Sequence, residues 1–152
     1  MAACPDVSAV DSNIAETRAR VCSNAVIDAE EREMKTYIPD PRSYFAERGG
    51  LHDARICKIV WDARARFIDV EVADLNANAL GLPEHKGTEP GSVIFQGAEN
   101  LAFGCDALAS DVQRVYDVEI DERAMGGYRC TLLISPSGRL TFDFTTLDLV
   151  TG

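Results

Sequence analysis

The sequence predicts an α+β fold: N-terminal helices packed on a curved, mostly antiparallel sheet of about six strands, a meander or half-barrel. Three observations carry that expectation. Ala15, Ala19, Cys22, Val26 and Ala29 recur at spacings of three and four, the period of a helix face. From Ala54 onward the period of the apolar residues changes to two, the period of a strand. Turn signals separate most of those strands, and consecutive strands tend to pair.

The elements follow in order along one domain spanning 1–152. Residues 1–11 carry little pattern and read as a loose arm. Residues 12–48 read as helical. Asp11 or Ser12 can cap the first helix, and the run Glu30-Glu31-Arg32-Glu33 with Lys35 reads as its solvated end before Pro39 stops it. Asp40-Pro41 then has the form of a cap followed by proline at the first helical position. A short helix through Arg42–Arg48 should bury Tyr44 and Phe45 and end at Gly49.

Residues 51–150 form the sheet. Ile56–Trp61 is a mixed strand, and the turn at Asp62–Ala65 returns the chain into Phe67–Val72. There Ile68, Val70 and Val72 alternate with Asp69 and Glu71. Residues 76–91, with Gly81, Pro83, Gly87, Pro90 and Gly91, read as a longer loop. Val93–Phe95 and Leu101–Phe103 flank Gly97 as one kinked strand or two short ones. Tyr116, Val118 and Ile120 alternate with Asp117, Glu119 and Asp121, and Gly126-Gly127 turns the chain into Tyr128–Ile134. Ser135-Pro136-Ser137-Gly138 is a turn signal. The last strand opens with Leu140, Phe142 and Phe144 and changes phase near Thr145-Thr146, which implies a bulge or bend.

Composition excludes several functional classes. The 152 residues are 46% apolar and 26% charged, the balance of a globular rather than a disordered chain. A net charge of −10 repels nucleic acid and anionic membranes and favours a basic partner. No apolar stretch approaches the ~20 residues of a membrane span. The N-terminus lacks a basic region followed by an apolar run, so no signal peptide is expected. The five cysteines (Cys4, Cys22, Cys57, Cys105, Cys130) are odd in number, widely spaced and without a C-x-x-C, which argues for reduced thiols in a soluble, cytoplasmic protein.

Candidates for chemistry are few, and no catalytic residue is assigned. His52 beside Asp53 suggests a dyad, but neighbours in an extended segment point to opposite faces. Fastening the entry to the first strand is the simpler role. His85, in the 76–91 loop, could join His52 and a carboxylate around zinc, yet no spacing demands it. We therefore expect no metal and no cofactor. Cys57 and Cys130 read as core thiols, and Asp106 beside Cys105 disfavours a thiolate.

Two functional readings remain. In the first, Asp69, Glu71, Asp117, Glu119 and Asp143 point away from the core onto one negative sheet face that docks a basic protein. In the second, a pocket inside the curved sheet is lined by His52, Asp53, Trp61, Tyr116 and Tyr128 and holds a small ligand or a substrate. The alanine stripe of the first helix also allows packing against a second copy of the chain.

The pattern Leu51-His52-Asp53-x-x-Ile56, followed by a strand, a hairpin return and a closing strand with Phe142-Asp143-Phe144, resembles small bacterial domains similar to immunity proteins of polymorphic toxin systems. The resemblance covers roughly 51–149 and leaves out the N-terminal helices. It implies an acidic, non-enzymatic domain that binds and neutralises a toxin, often a basic one. It carries over no catalytic residue.

Overall fold

The computed structural model describes residues 34–78, 84–105 and 112–152, and it corrects the predicted α+β class. The described residues form nine strands, one α-helix and one 3-10 turn. The strands are β1 (Met34–Ile38), β2 (Ile56–Asp62), β3 (Phe67–Val72), β4 (Gly91–Gln96), β5 (Glu99–Cys105), β6 (Arg114–Glu122), β7 (Tyr128–Ser135), β8 (Gly138–Phe144) and β9 (Thr146–Thr151). They make two antiparallel sheets rather than one, ordered β1-β9-β4-β3-β2 and β5-β8-β7-β6. The result is a mainly β sandwich.

The two sheets arise from a bend shared by two neighbouring strand pairs. β4 pairs with β9 in the five-stranded sheet, and β5 pairs with β8 in the four-stranded one. The chain passes from β4 to β5 at Gly97-Ala98 and from β8 to β9 at Thr145, and these crossings touch. The Thr145 N–H donates to the Gln96 carbonyl at 2.8 Å, and the Thr145 hydroxyl donates to the same oxygen at 3.1 Å. Gly97 sits at φ +68°, and a Cβ there would lie 2.4 Å from Thr145 Oγ1. Only glycine meets both demands at this corner. The kink expected at Gly97 and the phase change expected at Thr145 are therefore one feature, and it converts a single meander into a sandwich.

The core lies between the sheets. Ile68, Val70, Val72, Val93, Phe95, Leu147 and Leu149 face it from one side, and Val118, Ile120, Cys130, Leu132, Leu140, Phe142 and Phe144 from the other. Phe95 bridges the layers. Its ring meets Phe142 and Phe144 edge-on, with centroids 4.9 and 5.0 Å away, and Phe45 of the helix at 6.4 Å. Such edge-to-face pairs add ~0.5–1.5 kcal/mol each to the burial itself.

Helix α1 (Pro41–Glu47) is the short helix expected from Asp40-Pro41. Asp40 accepts the Ser43 N–H at 3.0 Å, and Pro41, Tyr44 and Phe45 are buried. Seven residues are too few for a helix to hold alone, so α1 is kept by Phe45 in the core and by the Arg48 guanidinium 5.0 Å over the Tyr44 ring. The residues just before it are not helical. Met34–Ile38 is an edge strand paired with β9, which corrects the helical reading of 12–48 over these residues, the expected end of the first helix before Pro39. Alternation of Met34, Thr36 and Ile38 is legible there, but the adjoining charge run hides it. The expected loose arm and the alanine-striped helix fall outside the described residues. No helix among the described residues is long and apolar enough to cross a membrane.

Candidate functional site

The chain enters β2 by first pairing with β6. After α1, Gly49 turns the backbone at φ +74°, and a 3-10 turn runs over Gly49–Leu51. Asp53 N–H then donates to Val115 C=O (2.8 Å), Val115 N–H to Ala54 C=O (2.9 Å), and Ile56 N–H to Gln113 C=O (2.9 Å). Residues 53–56 thus lie as a short strand on the outer edge of β6, joining the two sheets. The cover stops at His52. Beyond it β6 continues as an outer strand along a groove beneath α1.

This groove has a volume of about 520 Å³ and is lined by Arg42, Phe45, Gly50, His52, Tyr116 and the β6 stretch Asp117–Asp121. Its size is that of an ordinary ligand site. Leu51 (φ +56°) and Asp53 (φ +73°) both adopt the left-handed region. Two strained non-glycine residues therefore bracket His52, a conformation that costs about 1 kcal/mol or more at each. The His52 ring lies 5.4 Å from that of Tyr116, and its Nδ1 is buried without a hydrogen-bond partner among the described residues. Tyr116 is the extra residue where β6 slips against β7, and its ring stands exposed.

The five pocket residues expected from sequence divide. His52 and Tyr116 line the groove. Asp53 adjoins it but is used structurally: its carbonyl accepts Arg114 Nη1 at 2.9 Å, and it forms no dyad with His52. Trp61 stands exposed on edge strand β2, and Tyr128 stacks on Phe144 at 5.4 Å. Neither reaches the groove.

The five acidic residues divide as well. Asp69 and Glu71 are on β3 of the five-stranded sheet, where a shallow depression includes both of them with Lys58. Asp117 and Glu119 are on β6 of the other sheet and line the groove. Asp143 is buried. It faces outward from β8, yet Arg129 grips it with Nε at 2.8 Å and Nη2 at 3.2 Å, Asn100 donates to it at 2.8 Å, and Arg123 stands 3.4 Å away. The Arg129 guanidinium, before any other influence, holds the Asp143 carboxyl below the usual range, against the opposing effect of burial. The single acidic face expected from sequence is thus not formed: its members occupy two sheets, and one is neutralised.

What sequence reasoning missed is Asp121, the next residue in the Asp117-Glu119 alternation, together with Arg42 and Phe45 across the groove. The alternation itself was the available signal for Asp121. Nothing in the sequence brings α1 to β6.

The remaining candidates have structural roles. His85 Nε2 lies 2.8 Å from Asp74 Oδ2, and Asp74 Oδ1 also accepts the N–H groups of Asn76 and Glu89, so the pair ties down the loop before β4. Among the described residues no group of three or more histidines, cysteines and carboxylates is placed to hold a metal. Cys130 is buried, and burial pushes its thiol up. Cys57, expected in the core, is exposed, because β2 is an edge strand. No family model matches the chain, and no curated protein matches it.

Proposed function

We propose that this chain is a non-enzymatic protein-binding domain that receives a basic segment of a partner in the groove between α1 and β6. The observation that carries the reading is the lining of that groove: Asp117, Glu119 and Asp121 line it with one guanidinium, Arg42, while Arg129 stands across the ladder from Asp121. In a chain of net charge −10 this field steers cationic partners and speeds their docking. The resemblance of Leu51–Ile56 and Phe142–Phe144 to immunity proteins points the same way, toward a basic toxin as the partner. Cys57, Cys105 and Cys130 are free thiols, which fits a reducing cytoplasm.

The test is fluorescence anisotropy of a labelled peptide of alternating lysine and valine, with the glutamate–valine peptide as comparison. The lysine peptide should bind the wild-type chain, more weakly as salt rises. The double variant Glu119→Lys, Asp121→Lys should lose roughly tenfold or more, since two attractions become repulsions. Equal affinity for both peptides, or undiminished binding by the variant, refutes the reading.

One observation favours a second reading. His52 Nδ1 is buried at the groove wall without a partner, and a small ligand with a hydrogen-bonding group would satisfy it. A His52→Phe variant separates the two. It keeps the ring contact with Tyr116 and should leave peptide binding intact, whereas a small-ligand site would lose its anchor.

A further inference from the structure

The ladder between β6 and β7 fixes which backbone groups of β6 face the groove. Beyond Glu122, the Arg123 N–H donates to the Gly127 carbonyl at 3.0 Å, so the groups of Arg123 point toward β7. Counting back by the period of two, Asp121 and Glu119 bond inward to Arg129 and Thr131, their register partners. The N–H and C=O groups of Val118 and Ile120 therefore point outward, into the groove. Val118 is closed by its neighbour, because Asp117 Oδ1 accepts the Val118 N–H at 2.8 Å. The Ile120 groups and the Val118 carbonyl have no backbone partner among the described residues.

Resting on the function proposed above, we infer that the basic partner is bound as an added β-strand: an extended segment that pairs with β6 from Val118 to Glu122 and continues the edge that residues 53–56 begin. The groove meets the requirements of such a ligand. It offers a row of outward backbone groups for main-chain pairing. Side chains of Asp117, Glu119 and Asp121 stand at every second position on the solvent face of that strand, opposite the buried Val118 and Ile120. An added strand places its own alternate side chains on that same face, so a segment with lysine or arginine at every second residue matches the carboxylates across the ladder. The chain's own residues 53–56 already bond to the same edge in this manner. Asp117 sets the limit, since its capped Val118 N–H and the slip at Tyr116 prevent pairing further toward His52.

The test uses the same lysine–valine peptide with its backbone amides N-methylated, all lysine amides in one version and all valine amides in another. A strand added to an edge donates only every second amide. One version should therefore lose roughly tenfold or more, and the other should bind within about twofold of the parent. In parallel, amide exchange is followed by NMR. The Ile120 N–H should slow when the peptide is saturating, while the Glu119 N–H, already bonded to β7, should not change. If the unmethylated peptide binds but both methylated versions bind equally well, or Ile120 exchange is unaltered, strand addition is overturned and the acidic groove stands without it. If the unmethylated peptide fails to bind, the proposed function itself falls.

Discussion

Asp143→Asn is the most informative perturbation of this fold, because it removes one charge while keeping the shape of a buried side chain. Asp143 takes two bonds from Arg129 and one from Asn100, with Arg123 close by. A hydrogen bond to a charged group contributes about 1.5–3 kcal/mol. Removing one partner of a fully buried pair costs about 3–5 kcal/mol. Arg129, however, is half exposed, so once released it regains water. We therefore expect a loss near the lower end, about 2–3 kcal/mol, and a fall in Tm of roughly 5–10 °C. The pH dependence supplies a second readout. The native carboxyl is held below its ordinary value, so it stays deprotonated where the unfolded chain has begun to bind a proton. Its contribution is complete above the unfolded pKa of about 3.9 and is lost as pH falls through the lower native value. The gap between wild type and variant in urea unfolding should accordingly be constant from about pH 7 to about pH 5 and narrow below about pH 4. A cycle with Arg129→Met should show a coupling of about 1–3 kcal/mol. A gap below about 0.5 kcal/mol at neutral pH, a gap that widens on acidification, or strict additivity with Arg129→Met would each refute the argument.

Phe95→Ala should cost about 3–5 kcal/mol in chemical denaturation, because the ring joins both sheets and α1 and its loss leaves a cavity that three elements cannot close together. Retention of more than half that stability would mean that the layers are held elsewhere. Gly97→Ala should cost about 2 kcal/mol or more, from the left-handed backbone and from the clash with Thr145. Combining it with Thr145→Ala, which removes the hydroxyl 2.4 Å from the added Cβ, should recover part of the loss. A neutral Gly97→Ala would show that the corner can relax.

Much of the fold is legible in the sequence at the level of single elements. The Asp40-Pro41 cap, the turns at Asp62 and Ser135, and the alternation in β3, β6, β7 and β8 all follow from local chemistry. The partition into two sheets does not. Alternation states which side chains share a face of one strand but is silent on which strands share a sheet. Asp69 and Asp117 therefore read alike, although one lies in each layer. Burial of Asp143 could have been read in part. Pairing outward from the Ser135–Gly138 turn sets Arg129 opposite Asp143, the register observed. Arg129 is also the register partner of Asp121, but it places its hydrogen bonds on Asp143, where Asn100 adds another and the carboxylate is closed. β1 was hidden because Met34–Ile38 adjoins a charge run, and a five-residue alternation beside such a run fits a helix surface equally well.

Among the described residues, the uncovered edge of β6 follows from how α1 is anchored. Residues 53–56 cover the start of that edge, and extending the cover would require residues 49–52 to run on as a strand. They cannot, because Phe45 must reach Phe95 across the end of the sandwich. The chain therefore turns through Gly49 and Gly50 directly after the helix. Gly50 passes so close that a Cβ there would lie 3.1 Å from Asp117 Oδ1. Core packing thus fixes the wall and the length of the groove. The register of β6 fixes its charge: with Val118 and Ile120 held in the core, a slip of one residue would bury Asp117, Glu119 and Asp121 and expose the apolar set. The acidic row cannot drift without unfolding the sheet, whereas each carboxylate can be exchanged without touching the core.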